Sequence, residues 1–258
     1  MSERPPLFAR LARLVNPTAI DDYAPPLRQL DDGLWLTDRK LRMPPGLVLP
    51  TNMTVLRLPA GGVLVHAPVR LDATLSEQLD ALGGVRAVVA PNSFHHLFAA
   101  QYLDAFPQAR FFPVPTLRER IDGLPEGEAL GAEPPPLWAG LLDQMLFGPR
   151  RGICEAVFLH RPSATLILTD LAFNMRRFDG PLSAAGWRLL GVPARFGPSR
   201  TARITFLADR AAARADLERI LRWHFQRIIV AHGDVLEHDA QGEFRRAYAL
   251  GQMLNVEC

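Results

Sequence analysis

Three apolar runs in this chain each lead to a residue type that binds metal ions. Val85-Arg86-Ala87-Val88-Val89-Ala90 precedes the adjacent pair His95-His96. Ile167-Leu168-Thr169 stops at Asp170, and Ile228-Ile229-Val230-Ala231 stops at His232. Runs of this length and β-branched content read as strands. Strands that deliver His, Asp and His from their C-terminal ends are how a sheet builds a metal site. Imidazole with carboxylate suits zinc, iron or manganese.

The remaining composition narrows the class. With 48% hydrophobic and 22% charged residues, the chain can bury a sizeable core. A formal net charge of +2 gives no electrostatic reason to expect nucleic acid as a partner. Lys40 is the sole lysine, and Arg161, Arg200 and Arg203 are candidate anion contacts, with ordinary surface arginine as the alternative. Cys154 and Cys258 make no disulfide framework and no CxxC, so a reducing, cytoplasmic setting is expected. Glu3, Arg4, Arg10 and Arg13 interrupt the apolar start of the chain. Residues 1–30 therefore read as an amphipathic arm, neither signal peptide nor membrane span, and residues 31–258 as a single domain with no integral membrane segment.

Residues 34–38, 52–58 and 62–66 read as strands, the last two joined through Gly61-Gly62. Thr74 is a candidate cap for a helix over 75–82, which Gly83-Gly84 stops. Strand 85–90 is followed by a helical pattern from 94 to 106, with Phe94, Phe98, Tyr102 and Phe106 at helical spacing, and then by strand 109–114. In the second half, 155–160, 164–169, 203–208 and 227–231 read as strands, with helices over 210–225 and 239–253. Each half gives strands first and then strand–helix alternation. The expected fold is α/β, with two mixed sheets packed face to face and helices outside.

Arg161-Pro162-Ser163 reads as a hairpin turn, which places Glu155 opposite Thr169 or Asp170, with Cys154 near by. Glu155 is then a candidate general base, or a plain strand-end charge. His66 and His160 read as structural, and His224 and His238 as surface residues. Trp138 could wall a pocket or sit in the core.

The strings TNMTVLRLPAGGVLVHAPV, VVAPNSFHHLF, EAVFLHRPSATLILTDLAFN and RIIVAHGD give this chain its resemblance to the metallo-β-lactamase-like superfamily, over roughly residues 30 to 235. It looks like a divergent branch, within a bacterial and plant domain family of unknown function. The resemblance implies a four-layer αββα sandwich. It also implies a metal motif, H-x-H-x-D-H, whose first two histidines fall here on Pro91 and Ser93. Its aspartate falls on His95 and its last histidine on His96, while the family's bridging aspartate and final histidine match Asp170 and His232. The histidine that precedes the hairpin has only Cys154 or Glu155 near its place. One of the family's two metal positions is thus dismantled.

The resemblance then implies at most one divalent ion, zinc or iron, held by His95, His96, Asp170 and His232, or by His96, Asp170 and His232 alone. Such an ion would support hydrolysis of a small-molecule ester, amide, thioester or phosphodiester. Four protein ligands would close a tetrahedral zinc site, whereas iron accepts more ligands and redox chemistry. A metal-free binding or structural relative of the fold is the alternative.

Overall fold

The computed structural model describes residues 17–20, 22–119, 121, 123–148 and 153–249. The amphipathic reading of residues 1–16 and the end of the predicted last helix lie outside the described residues, as does Cys258.

The first sheet is built from β1 (Thr18–Ala19), β2 (Arg28–Asp31), β3 (Leu34–Met43), β4 (Leu47–Arg57), β5 (Val63–His66), β6 (Val85–Ala90) and β7 (Arg110–Pro113). Its order is β1-β3-β4-β5-β6-β7, with β2 also paired to β3. The β3–β4–β5 meander is antiparallel, and β5, β6 and β7 run parallel. The second sheet has the order β11-β10-β9-β8, from β8 (Leu142–Phe147), β9 (Glu155–His160), β10 (Thr165–Ile167) and β11 (Arg227–Ile229). Its single parallel pair is β10 with β11.

Side-chain alternation along the second sheet shows the layering. Ala156, Phe158, Ile167 and Ile229 pack into the core shared with Val55, Val65 and Val88 of the first sheet. Val157, Leu159, Leu166 and Ile228 face the other way, onto α6 (Arg210–Leu221) through Leu217 and Ile220 and onto α7 (Ala240–Ala247) through Phe244. A strand buried on both faces reads as an unbroken apolar run, which is why these segments are legible. Leu75 and Leu79 of α1 (Ala73–Ala81) and Tyr102 of α2 (Ala99–Ala105) pack against the first sheet's core. Among the described residues, no helix is long and apolar enough to cross a membrane.

Three local expectations need correction, and one strand was not read from the sequence. The cap of α1 is Asp72, not Thr74: its carboxylate accepts from Leu75 N at 2.9 Å and also pairs with the buried Arg39 at 2.6 Å. The helix expected from residue 94 begins only at Ala99, because the Asn92 side chain accepts from Phe94 N and His95 N and folds a turn there. Residues 203–208 form no strand. Ser199 caps the short helix α5 (Arg200–Ile204), after α3 (Pro115–Arg118) and α4 (Gly180–Leu189) in chain order. The missing strand of the second sheet is β8, where Gln144 interrupts the apolar pattern. That amide is buried against Trp138 Nε1 and the carbonyls of Gly131 and Glu133. Trp138 is accordingly a core residue with no exposure.

His160, at the end of β9, is buried beside Ser163 Oγ at 2.7 Å. Burial pushes its imidazole down to about 4, against a smaller opposing pull from Asp31. The unfolded chain then takes up a proton near its ordinary value that the fold does not. Stability from this group is intact above about pH 6.5 and falls as the pH drops toward 4. Denaturant unfolding across that range should show a shallower pH dependence for His160→Gln than for the wild type.

Candidate metal centre

Three loops meet at one end of the two sheets. The first leaves β6 through Pro91 and Asn92. Pro91 O accepts from Ala156 N at 2.7 Å and so joins the two sheets. Asn92 Oδ1 accepts from His95 N, and its Nδ2 donates to Asp170 Oδ2 at 2.8 Å and Thr169 Oγ1 at 2.9 Å. One amide thus sets the turn that carries His95 and holds the carboxylate opposite it.

The second loop leaves β10. Glu155 has no exposure, and its carboxylate accepts from Thr169 N, Asp170 N and Leu171 N at 2.7, 2.8 and 2.9 Å. Tyr248, the C-cap of α7, donates its Oη to Leu171 O. The expected placement of Glu155 opposite Thr169 or Asp170 agrees with these hydrogen bonds, which lie beyond the paired β9–β10 residues that end at Phe158 and Ile167. Burial, and then the neighbouring Asp170 charge, push the Glu155 carboxyl up to about 7. With both oxygens engaged by backbone N–H groups, it organises the loop.

The third loop follows β11. His232 Nδ1 lies 2.8 Å from Pro50 O. A carbonyl only accepts, so Nδ1 carries the proton and Nε2 is left to face Asp170 Oδ1 at 3.2 Å. The ring stacks on Phe173 at 4.9 Å. Asn52 fixes the loop by donating to Val230 O and Gly233 O. Gly233 has φ +109°, and a Cβ there would stand 2.2 Å from Asn174 O.

Among the described residues, His95, Asp170 and His232 form one group whose ligating atoms all lie within 4.8 Å of one another. His95 Nε2 is 3.4 Å from Asp170 Oδ2, yet it is buried without a hydrogen-bond partner. Burial alone would raise the Asp170 carboxyl, but the two imidazoles hold it well below the usual carboxylate range. His96 falls outside the group: the Asn92 turn brings His95, not its neighbour, toward Asp170. Of the four expected ligands His95, His96, Asp170 and His232, the structure thus brings three together. Burial pushes the His96 imidazole down, and its Nδ1 is also without a partner.

Of the other sequence candidates, Cys154 is buried with Sγ 3.2 Å from Thr116 Oγ1, and burial raises its thiol. Arg161 pairs with Asp143 on the surface. His66 is buried in β5, and burial followed by His95 pushes it down to about 3. His224 and His238 are exposed. Asn92, Asn52 and Phe173 were not singled out from the sequence. The Asn that follows an apolar strand in PNS was the available signal, as an Asx turn.

The group borders a cavity of about 320 Å3. His96, Thr51 and Ser93 line it, with apolar walls that include Leu49, Trp187 and Val192.

Solved structures share this architecture. DIM-1 metallo-β-lactamase exposed to ceftazidime superposes with a TM-score of 0.60 at 14% identity, covering 89% of this chain and 100% of its own. The chain has the metallo-β-lactamase fold. A putative diflavin flavoprotein fragment from Nostoc sp. PCC 7120 gives 0.61 at 11% identity, covering 95% and 100%. The metallo-β-lactamase FIM-1 from Pseudomonas aeruginosa in its mono-zinc form gives 0.55 at 11% identity, covering 91% and 99%. No protein-family model matches the sequence, and no curated protein matches it. Placement in a bacterial and plant domain family therefore stays an expectation drawn from the motif strings.

Two substitutions probe the loops. Asn92→Ala removes the acceptor of two backbone N–H groups and a donor to Asp170, and should cost about 1–3 kcal/mol in denaturant unfolding. Gly233→Ala forces a left-handed alanine against a carbonyl. It should cost at least about 2 kcal/mol, with His232 shifted in its imidazole NMR resonances.

Proposed function

We propose that this protein is a hydrolase of a small molecule that works with one divalent cation, zinc or iron, held by His95, Asp170 and His232. The observation that carries the reading is the convergence of three ligand atoms within 4.8 Å, with His95 Nε2 buried, 3.4 Å from Asp170 Oδ2 and without a hydrogen-bond partner. The residues fit the group chemically. Two imidazoles and one carboxylate are a ligand set for catalytic zinc and for mononuclear iron. Three ligands instead of the four expected leave coordination positions open. A cation held there would supply a Lewis acid at the edge of the cavity.

The chain's own residues supply the rest. Pro50 O keeps the His232 proton on Nδ1, which presents Nε2 to the site. Asn92 fixes the Asp170 carboxylate, and Glu155 holds its backbone. The Phe173 ring covers His232. Glu155 is better read as a positioning residue than as a general base, since its oxygens already accept three backbone N–H groups. A cytoplasmic location is part of the proposal, supported by the free, buried Cys154 thiol.

Fold neighbours described as a metallo-β-lactamase in mono-zinc form and as a putative flavoprotein mark the range of chemistry this fold carries. A second reading, a metal-free binding module, is favoured by one contact: His232 Nε2 and Asp170 Oδ1 at 3.2 Å can form a direct ion pair.

Elemental analysis of protein purified without added metal separates the two. The proposal expects near one zinc or iron per chain, lost in His95→Ala, Asp170→Ala and His232→Ala and retained in His96→Ala. Sub-stoichiometric metal, unchanged in all four variants, supports the metal-free reading.

A further inference from the structure

The cavity beside the candidate metal centre is built for an uncharged occupant. Its deep wall is the buried cluster of Leu41, Leu49, Phe173, Trp187 and Val192, and Phe173 is also the ring stacked on His232. Trp187 is fixed by its Nε1 donating to Val48 O at 2.8 Å, and Ser183 on the same helix accepts from Val48 N. This wall is therefore anchored to β4. Among the described residues, no lysine or arginine lines the cavity, and Asp170 is the one carboxylate. Arg200 and Arg203 flank the lining residue Thr201, but neither contributes to the walls. A ligand anion against these walls would lose its hydration, and no described lysine or arginine there would meet it.

The polar groups have the opposite distribution. Five buried side-chain nitrogen or oxygen atoms among the described residues lack a hydrogen-bond partner. Four of them, Thr51 Oγ1, Ser93 Oγ, His95 Nε2 and His96 Nδ1, belong to residues that line this one cavity. Native interiors leave few such atoms; with His95 Nε2 assigned to the cation, the other three mark a place where a polar head is received. Phe94 and Leu97 line the same cavity and are 37% and 49% exposed, so the apolar surface continues to the mouth.

We propose that the cavity binds an uncharged molecule with a carbonyl-type polar head and an apolar acyl or aryl body. The head lies toward His95, His96 and Thr51, and the body lies against the Leu41, Leu49, Trp187 and Val192 wall. The volume, about 320 Å3, is at the small end of ligand pockets. Phosphodiesters and carboxylate-bearing substrates are excluded from the body of the site. The claim rests on the hydrolase reading only for which end of the ligand reacts.

Displacement of the neutral dye N-phenylnaphthylamine from the full chain tests it, with and without added zinc. Methyl butyrate, methyl hexanoate and methyl octanoate should compete with affinities that rise about fourfold per methylene until the cavity is filled. Monomethyl adipate and monomethyl suberate, which end in a carboxylate, should compete about tenfold more weakly or worse than uncharged esters of similar length in zinc-free protein. Leu97→Asp, at an exposed position that folding does not depend on, should weaken methyl octanoate more than methyl butyrate; Val192→Asp should do so more strongly.

Failure of dye and esters to bind overturns the proposal, as does affinity independent of chain length or equal competition by the carboxylate esters. Hydrolysis of the same esters by zinc-loaded protein is scored separately. Chain-length-dependent binding without hydrolysis leaves the ligand class standing and removes the hydrolase reading. Hydrolysis with no chain-length preference does the reverse.

Discussion

A carboxylate with no exposure to solvent fixes how the chain turns after β10. Glu155 accepts three successive backbone N–H groups, from Thr169, Asp170 and Leu171. Buried backbone donors need acceptors, and a loop at the end of a two-faced sheet has no neighbouring strand to offer them. By satisfying all three, Glu155 makes a tight loop compatible with burial and sets where the Asp170 side chain emerges. Asn92 then locks that side chain from the first sheet's loop, and Pro91 O ties the loop to β9. The relation between His95 and Asp170 thus comes from both sheets at once.

Two carboxyl groups lie side by side in this arrangement, and their surroundings drive them apart. Asp170 faces two imidazoles and is held ionised, whereas Glu155 is pushed up by burial and by the Asp170 charge. Carboxylates in one buried network take different roles when their neighbours differ. Here one is a candidate ligand and the other a backbone anchor.

Much of this was legible in the sequence. The runs VRAVVA and EAVFLH have the bounds of β6 and β9, since strands buried on both faces are apolar at most positions. The hairpin through Arg161-Pro162-Ser163 placed Glu155 beside Thr169 or Asp170, and its carboxylate accepts from the backbone N–H of both. Less legible were segments where polar side chains replace backbone partners. Asn92 converts an expected helical turn into a loop, and Gln144 hides a strand by carrying a buried amide in the middle of it. That His95, and not His96, lies beside Asp170 follows from the Asn92 turn. Spacing alone could not decide between two adjacent imidazoles.

The central claim is that one ion sits on two imidazoles and one carboxylate. X-ray absorption fine structure at the metal edge of the purified, metal-loaded protein addresses it most directly. The account predicts a first shell of nitrogen and oxygen with outer-shell scattering from two imidazole rings and no metal–metal vector. Scattering from three or more imidazoles, or a second metal at short range, would contradict it.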